Sequence, residues 1–446
     1  MKDIHHLTFD FNSESNVSIR QFLFKLKDEF ASSSIVALGE NSHFIKEFFA
    51  FRHHIIEFLV TECNYDTLAF EFGFSEGLEI DKWIKSKLPI DDLDKLTSHF
   101  YYPKEFKSTL FWLRNYNEKS EKQVTFLGVD IPKNGGSYFP TYTLVEDFLR
   151  KNFIVSSDVL NRISVLVEKL DYYSTAELAL NLSYIDVVEQ NELKSLLFTV
   201  YVRLINLEPK LEKSDFEFIR HQIKGLIYMN YNADAMRSFI GGKGIEGDLG
   251  AKDQFMKESI DYFFENSLGK KIILVAHNAH IQKTAVDFDG FISCYPMGQR
   301  LAMSYGQKYK AFALTNLSGE TAALHADNDL RYGFKVDKYP LDAPESDSIE
   351  FLMRKSGIKE GCLLMSELSE QYNCKKIRFD SIYLNTEIKE AFDGVILLEK
   401  STISEVVLTC STKSSVTKLT ANCLLLKTLL RVSLFLFPVR TVENIT

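Results

Sequence analysis

The sequence predicts an α/β fold in which a largely parallel central sheet is flanked by helices and interrupted by an all-helical insertion. Short apolar runs alternate with segments whose apolar residues keep helical spacing, and this alternation is typical of a parallel α/β sheet. Residues 157–231 instead show long helical patterns and no strand pattern. We therefore expect one α/β core divided by inserted helices.

The elements of the core follow in order along the chain. Ser34–Leu38 is an apolar run bounded by Ser and Gly, which predicts a buried strand, and residues 44–59 carry apolar side chains on one helical face. Thr67–Phe72 predicts a second strand, and Leu78–Ser86 begins another helix. Further strands are predicted at Val124–Val129 and Lys271–Ala276, with weaker signals at Phe379–Tyr383, Val395–Leu398 and Val406–Leu408.

These elements divide the chain into four parts. They are the first half of the core (1–140), the helical insertion with a Gly-rich loop (141–250), the second half of the core (251–406) and a basic tail (407–446). The Gly-rich loop, Gly241–Gly250, is either a lid over a site or a linker. The tail carries a net charge of +4 and the rest of the chain −13, so we expect a separate, poorly ordered extension.

Composition limits the class of partner and the compartment. The 446 residues carry a net charge of −9, which argues against nucleic-acid binding. Six scattered cysteines without a C-x-x-C pair indicate reduced thiols in a cytoplasm. Cys423–Val439 is apolar but short, and Lys427 and Arg431 interrupt it, so we expect no stable membrane span. The oligomeric state is not fixed by any of these features.

Polar, titratable residues stand at the ends of four predicted strands. They are Glu40 and His43 after the first strand, Glu71 in the second, Asp130 after the third, and His277 and His280 after the fourth. Loops at the carboxyl ends of parallel strands are the usual place for chemistry in α/β sheets. Four such ends together predict an active site.

The spacing of these residues suggests roles for them. A carboxylate such as Glu40 beside His43 would orient the imidazole and raise its basicity, as a general base requires. The alternative is that both residues only begin a helix. Arg52, at the edge of the apolar helix stripe, would hold a carboxylate, with Glu71 as its natural partner, or an oxyanion. His277 and His280 would act as bases, hydrogen-bond donors or metal ligands.

Two other kinds of site compete at this stage. Gly73–Gly77 fits G-x-S-x-G between a strand and a helix, the context of a hydrolase nucleophile, with Ser75 followed in order by Asp130 and His277 or His280. A metal site would use His43, His277 and His280. A non-enzymatic protein that binds a hydrophobic ligand or haem in the same cleft is a further alternative.

Several segments in order resemble one known family, the erythromycin esterases, and look close to their type II branch. The similarity runs through about residues 20–406. It rests on the segments Ile35–Glu47, Phe70–Phe74, Phe126–Pro132, Val275–His280 and Met297–Arg300.

The resemblance implies hydrolysis of the lactone ester of 14-membered macrolides such as erythromycin, and hence antibiotic resistance. It implies catalysis without a covalent intermediate or cofactor, with a metal as a minor alternative and His43 as the general base on water. The implied catalytic residues are His43, Glu40, Arg52, Glu71, His277 and His280, and the expected substrate-binding residues are Phe44, Asp130, Asn278 and Met297.

The chain also departs from the wider family. Phe44 follows the histidine where many members have Gly, and Lys252 precedes Asp253 where many have an Arg-Asp pair. Ser75 does not fall on a serine that the family requires, which weakens the hypothesis of a serine nucleophile.

Overall fold

The computed structural model confirms the predicted fold class, a mostly parallel sheet flanked by helices. The structure describes residues 4, 7–96, 103–132, 137–172, 178, 181–240, 243–267, 270–288, 292–326, 334–369, 372 and 374–404.

In chain order the strands are β1 (Thr8–Asp10), β2 (Ile35–Leu38), β3 (Thr67–Gly73), β4 (Thr125–Asp130), β5 (Ile272–Val275), β6 (Val286–Phe288), β7 (Ile292–Cys294), β8 (Tyr309–Ala326), β9 (Phe334–Pro340), β10 (Gly361–Leu364), β11 (Lys376–Phe379), β12 (Ile382–Asn385) and β13 (Gly394–Ser401).

The helices are α1 (Asn16–Lys25), α2 (Lys27–Ala31), α3 (Lys46–Cys63), α4 (Phe74–Ile84), α5 (Leu93–Leu96), α6 (Lys104–Lys119), α7 (Thr141–Lys151), α8 (Ser157–Lys169), α9 (Val187–Leu207), α10 (Lys213–Ile240), α11 (Ala251–Glu265), α12 (Asn278–Ile281), α13 (Met297–Tyr305), α14 (Ile349–Lys355) and α15 (Ile388–Ala391).

The strand order of the main sheet decides where the functional residues lie. The order is β1-β10-β13-β8-β2-β5-β3-β4, and the pairs from β13 through β4 are parallel. β5, which is distant in sequence, inserts between β2 and β3, pairing Ile35 with Ile272 on one side and Thr67 with Ile272 on the other. The carboxyl ends of β2, β5, β3 and β4 therefore line one edge of the sheet in that order.

Alternating side chains of the central strands fill an apolar core on each face of the sheet. In β2, Val36 and Leu38 enter one core, whereas Ile35 and Ala37 enter the other. The first core is covered by α1, α3 and α6, and the second by α11, α13 and α14. Burial on both faces explains why these strands are continuous apolar runs.

The four strongest strand predictions correspond to β2, β3, β4 and β5. Val395–Leu398 lies within β13, but the prediction for Phe379–Tyr383 is wrong, because these residues span the tight turn between β11 and β12. The central strand β8 was not predicted. It pairs with β2, β13 and β9, so it joins the two halves of the core.

Between β4 and β5, the described residues form the helices α7 to α11 and contain no strand, and a third apolar core is built from buried residues between 138 and 233. Three predictions lie wholly or partly outside the described residues: the strand at Val406–Leu408, the tail from 407 onward with its apolar segment, and the beginning of the Gly-rich loop. Within the described ranges, no helix is both long and apolar enough to cross a membrane.

Candidate active site

The carboxyl ends of β2, β5 and β3 are joined by hydrogen bonds between their loops. The backbone N–H of Asn278, after β5, donates to the carbonyl of Glu40, after β2, at 2.8 Å. The backbone N–H of His277 donates to Glu71 Oε2 in β3 at 3.0 Å. The strand order thus brings the predicted catalytic residues of three strands into one cluster.

Gly39 permits this close approach. A Cβ atom at position 39 would lie 1.8 Å from Asn278 Oδ1, so a larger residue would push the two loops apart. The Asn278 amide is in turn fixed to β8, where its Nδ2 donates to the Leu314 carbonyl at 2.9 Å and its Oδ1 accepts from the Leu314 N–H. Asn278 therefore ties the β5 loop to the sheet.

Glu40 holds a base on one side and a cation on the other. Its Oε1 lies 2.9 Å from His43 Nδ1, and its Oε2 accepts from Arg52 Nη2 at 2.6 Å. Burial raises the pKa of Glu40, but the Arg52 charge and the His43 hydrogen bond outweigh it and leave the pKa lowered. Glu40 is therefore a carboxylate, which accepts hydrogen bonds and donates none.

The Glu40 carboxylate fixes the state of the His43 imidazole. Because Glu40 only accepts, Nδ1 carries the proton, and in the neutral ring Nε2 keeps its lone pair. Burial lowers the pKa of His43, but the hydrogen bond and charge of Glu40 outweigh it, so the pKa is raised. The His43 side chain is 36% exposed, which leaves it accessible to water.

Phe44 holds the loop in a strained conformation. Its φ is +65°, in the left-handed region that glycine adopts freely and other residues rarely enter. Its ring is buried in the first core, and its carbonyl accepts from the Ser404 N–H at 2.7 Å. The packing of the ring and this hydrogen bond stabilise the strained backbone. They explain how Phe can occupy a position whose backbone conformation favours Gly.

His277 has the opposite hydrogen-bonding arrangement to His43. Its Nδ1 accepts from the Ala279 N–H at 3.2 Å, so the neutral ring carries its proton on Nε2. That buried Nε2 has no hydrogen-bond partner among the described residues. Burial, together with His43 and His280, lowers the pKa of His277 to about 3, and the ring stays neutral. The His43 and His277 rings lie 5.2 Å apart, centroid to centroid.

A second charge network lies beside the two histidines. Lys252 Nζ contacts Glu71 Oε1 and Asp130 Oδ2, each at 3.0 Å. Burial lowers the pKa of Lys252, but the charges of Asp130 and Glu71 outweigh burial and raise the pKa, so the amine stays charged. Burial raises the pKa of Glu71, but Lys252 and His280 hold it well below its usual range. Lys252 thus keeps Glu71 ionised at the end of β3.

His280 completes this network as a cation. Its Nδ1 lies 2.8 Å from Asp253 Oδ1, and its Nε2 lies 3.3 Å from Glu71 Oε1. Burial lowers the pKa of His280, but Asp253 and Glu71 outweigh it and raise the pKa to about 10. Both ring nitrogens face carboxylates, so His280 is an imidazolium that orients Glu71.

The structure brings the six predicted catalytic residues together but arranges one pair differently. The expected pairing of Arg52 with Glu71 is wrong, because Arg52 bonds Glu40 and Glu71 bonds Lys252. Arg52 is 2% exposed, with Nη1 unpartnered among the described atoms and its guanidinium over the Phe49 ring.

The four predicted substrate-binding residues are all buried. Phe44 and Met297 belong to the apolar cores, Asp130 bonds Lys252, and Asn278 bonds β8. The backbone N–H of Met297 donates to Asp253 Oδ1 at 2.8 Å. These contacts place the four residues beneath the site, where they support it. Their burial does not favour direct contact with a substrate, and substrate binding by these residues stays a prediction.

Ser75 lies in a buried polar cluster with Thr141 and Gln222. It is 1% exposed, donates to Gln222 Oε1 at 2.6 Å and lies 2.5 Å from Thr141 Oγ1. Its hydrogen bonds join α4 to α7 and α10, so the hydroxyl has a structural role, and among the described residues none of its hydrogen bonds reaches a histidine that could act as a base.

Sequence reasoning gave no role to four residues at this site. Lys252 and Asp253 were noted only as a departure from the family pattern; their position at the start of α11, after the Gly-rich loop, was the available signal. Phe379 and Asp380 fall in a segment that the sequence predicts as a strand, and no local pattern indicates their position at the site.

Among the described residues, no group of three or more His, Cys, Asp or Glu is arranged to hold a metal ion.

Comparison with known proteins identifies the family of the chain. The family model described as erythromycin esterase matches residues 60–401. Erythromycin esterase type II from Escherichia coli is 43% identical over 389 residues, which cover 86% of this chain and 93% of that protein. Erythromycin esterase type I from Escherichia coli is 27% identical over 368 residues, which cover 81% and 89% respectively.

A solved structure shares the fold. A variant of the erythromycin esterase EreC in its open conformation superposes with a TM-score of 0.79 at 24% identity, over 87% of this chain and 95% of that one. At that identity the likeness concerns the fold alone. The family match and the 43% identity each extend over most of the chain, and the chain therefore belongs to the erythromycin esterase family.

Proposed function

We propose that this protein is a carboxylic ester hydrolase that opens the lactone of 14-membered macrolides such as erythromycin, by general-base activation of water at His43. Membership of the family supports the reaction and substrate class. The observation that carries the mechanism is the difference between the Nδ1 contacts, a carboxylate for His43 and a backbone N–H for His277. It implies opposite tautomers, in which His43 presents a basic Nε2 and His277 beside it carries a proton on Nε2.

In the first step, His43 Nε2 removes a proton from water while the water oxygen bonds to the lactone carbonyl carbon. Glu40 stabilises the resulting imidazolium through its hydrogen bond to Nδ1. Arg52 acts through Glu40, because it keeps that carboxylate ionised and in place. General-base catalysis of this kind contributes roughly 10²–10⁴ in rate.

The negative charge on the former carbonyl oxygen needs a donor. We assign this role to His277, whose Nε2–H has no partner among the described residues and gains one when the oxyanion forms. A preorganised donor is worth roughly 10²–10³ in rate. When the C–O bond of the ring breaks, the His43 imidazolium returns its proton to the leaving alkoxide, so the products are a carboxylic acid and an alcohol.

Glu71 and His280 act through position and charge. Glu71 accepts the backbone N–H of His277, which sets the position of that ring, and His280 with Lys252 keeps Glu71 ionised. Both nitrogens of His280 face carboxylates, which makes it a weaker candidate than His43 for protonating the alkoxide.

The surroundings of the site follow from the substrate. A macrolide needs a wide cleft, and we propose that the helical insertion and the Gly-rich loop form its wall and lid. The described part of the loop is held by two hydrogen bonds: Tyr231 Oη donates to Asp248 Oδ1 and Tyr295 Oη to Glu246 Oε1, at 2.5 and 2.6 Å.

We further propose that the enzyme acts in the cytoplasm on a small molecule rather than on nucleic acid, as its negative charge and scattered cysteines suggest.

His43→Ala should strongly reduce hydrolysis of erythromycin while the fold survives, because it removes the base from a partly exposed position. With the unaltered protein, mass spectrometry should show erythromycin that has gained one water molecule. The amount of this product should exceed one molecule per protein molecule. We expect turnover of His43→Ala to fall by roughly 10²–10⁴, with an unchanged melting temperature.

Ser75→Ala is the matched control, because it removes a hydroxyl that bonds only structural residues. It should retain turnover. Loss of activity in Ser75→Ala with survival in His43→Ala would establish a serine nucleophile instead. A stoichiometric ligand complex without added water would indicate a binding protein.

The rate should fall at low pH with the titration of His43. The base must be unprotonated, and its pKa is raised, so kcat/KM should decline as the pH falls through a value above 6.5. Glu40→Gln removes the largest cause that raises this pKa and should move the acid limb to lower pH while reducing kcat. Glu57→Gln, elsewhere on α3, should leave the limb unchanged; a limb that ignores Glu40→Gln would contradict His43 as the base.

Hydrolysis should not depend on a metal ion. His43 Nδ1, His277 Nδ1 and both nitrogens of His280 are occupied by protein partners, which leaves few free ligand atoms. Activity measured after prolonged dialysis against a chelator should equal that of the untreated enzyme. Loss of activity that zinc or another divalent ion restores would establish a metal centre.

A further inference from the structure

A β-hairpin from late in the chain reaches the active site. β11 and β12 pair antiparallel, and a two-residue turn, Asp380–Ser381, connects them. Asp380 adopts a φ of +50°, a conformation that Asp tolerates better than most residues. Its backbone N–H donates to the Asn41 carbonyl at 2.6 Å, in the loop that carries Glu40 and His43. The tip of the hairpin is therefore fixed two residues from His43.

The side chains at the tip contact both histidine loops. The Phe379 ring packs edge-on against the His277 ring, with centroids 4.7 Å apart. The Asp380 carboxyl interacts with the Ser42 hydroxyl, which in turn accepts from Thr321 Oγ1 at 3.0 Å. Asp380 is only 8% exposed, so its charge is poorly screened by water.

Titratable groups face His43 from several elements, and the charged ones among them are carboxylates. Glu40 lies on its own loop, Glu71 on β3, Asp380 on the hairpin and neutral His277 after β5, while Arg52 on α3 stands behind Glu40. Burial raises the pKa of Asp380 to about 7, against the opposing effect of His43. Asp380 in turn helps to raise the pKa of His43. Each group therefore favours the charged form of the other.

We propose that Asp380 is a positioning residue of this esterase, whose carboxylate stands at the hairpin tip that is bonded to the His43 loop and stabilises the imidazolium formed when His43 takes a proton from water. Glu40 already binds the ring at Nδ1, and Asp380 supplies a second negative charge from a different part of the chain. This inference rests on the proposed role of His43 as the base. It makes the hairpin of β11 and β12 a component of the active site.

Asp380→Asn tests the charge alone, because Asn has the same shape and also tolerates the left-handed backbone. We expect kcat to fall roughly threefold to tenfold, as a weaker base predicts, with KM changed by less than about twofold. The acid limb of kcat/KM should move to lower pH. Ser381→Ala, the next residue of the same turn, is the control and should match the unaltered enzyme in all three quantities.

A readout without substrate separates this inference from the proposed function. The His43 ring resonance, assigned by its loss in His43→Ala, should titrate at a lower pH in Asp380→Asn than in the unaltered protein or in Ser381→Ala. A His43 titration that is identical in all three proteins would overturn the role of Asp380, whatever the activity. If the titration shifts but the unaltered protein does not hydrolyse erythromycin, the proposed function fails and the Asp380–His43 interaction stands.

Discussion

The buried chain of contacts from Arg52 through Glu40 to His43 is the interaction on which the site depends. One carboxylate oxygen binds the guanidinium and the other binds imidazole Nδ1, so the charge, the tautomer and the direction of the base are set together. An isolated buried carboxylate would take up a proton and lose this effect. Arg52 prevents that, and the base is therefore assembled before any substrate arrives.

The strand order makes the second half of the site possible. β5 inserts between β2 and β3, and this position puts His277 between the Glu40 loop and Glu71, to which its backbone is bonded. The two histidines meet in opposite tautomers because each Nδ1 has a different partner: a carboxylate for His43 and a backbone N–H for His277. The two neighbouring histidines thus differ in tautomer because their hydrogen-bond partners differ.

The sequence predicted the residues at the strand ends better than their partners. Runs of apolar residues locate β2, β3, β4 and β5, and the polar residues that follow them lie at one sheet edge because parallel strands share a direction. The bonds of Arg52 to Glu40 and of Lys252 to Glu71 depend on helix packing across the sheet, which no local pattern encodes. The apolar residues on either side of Asp380 predict one strand, whereas the structure places a two-residue turn there between β11 and β12. The left-handed Phe44 likewise depends on packing beneath the loop.

The tautomers of His43 and His277 test the central claim most directly. Long-range ¹H–¹⁵N correlation spectra of the protein with ¹⁵N-labelled histidine, recorded above the His43 titration, distinguish a protonated ring nitrogen from a bare one. Our account predicts a proton on Nδ1 and a bare Nε2 in His43, with the reverse in His277. A neutral His43 that carries its proton on Nε2 would have no lone pair to offer water and would contradict the account.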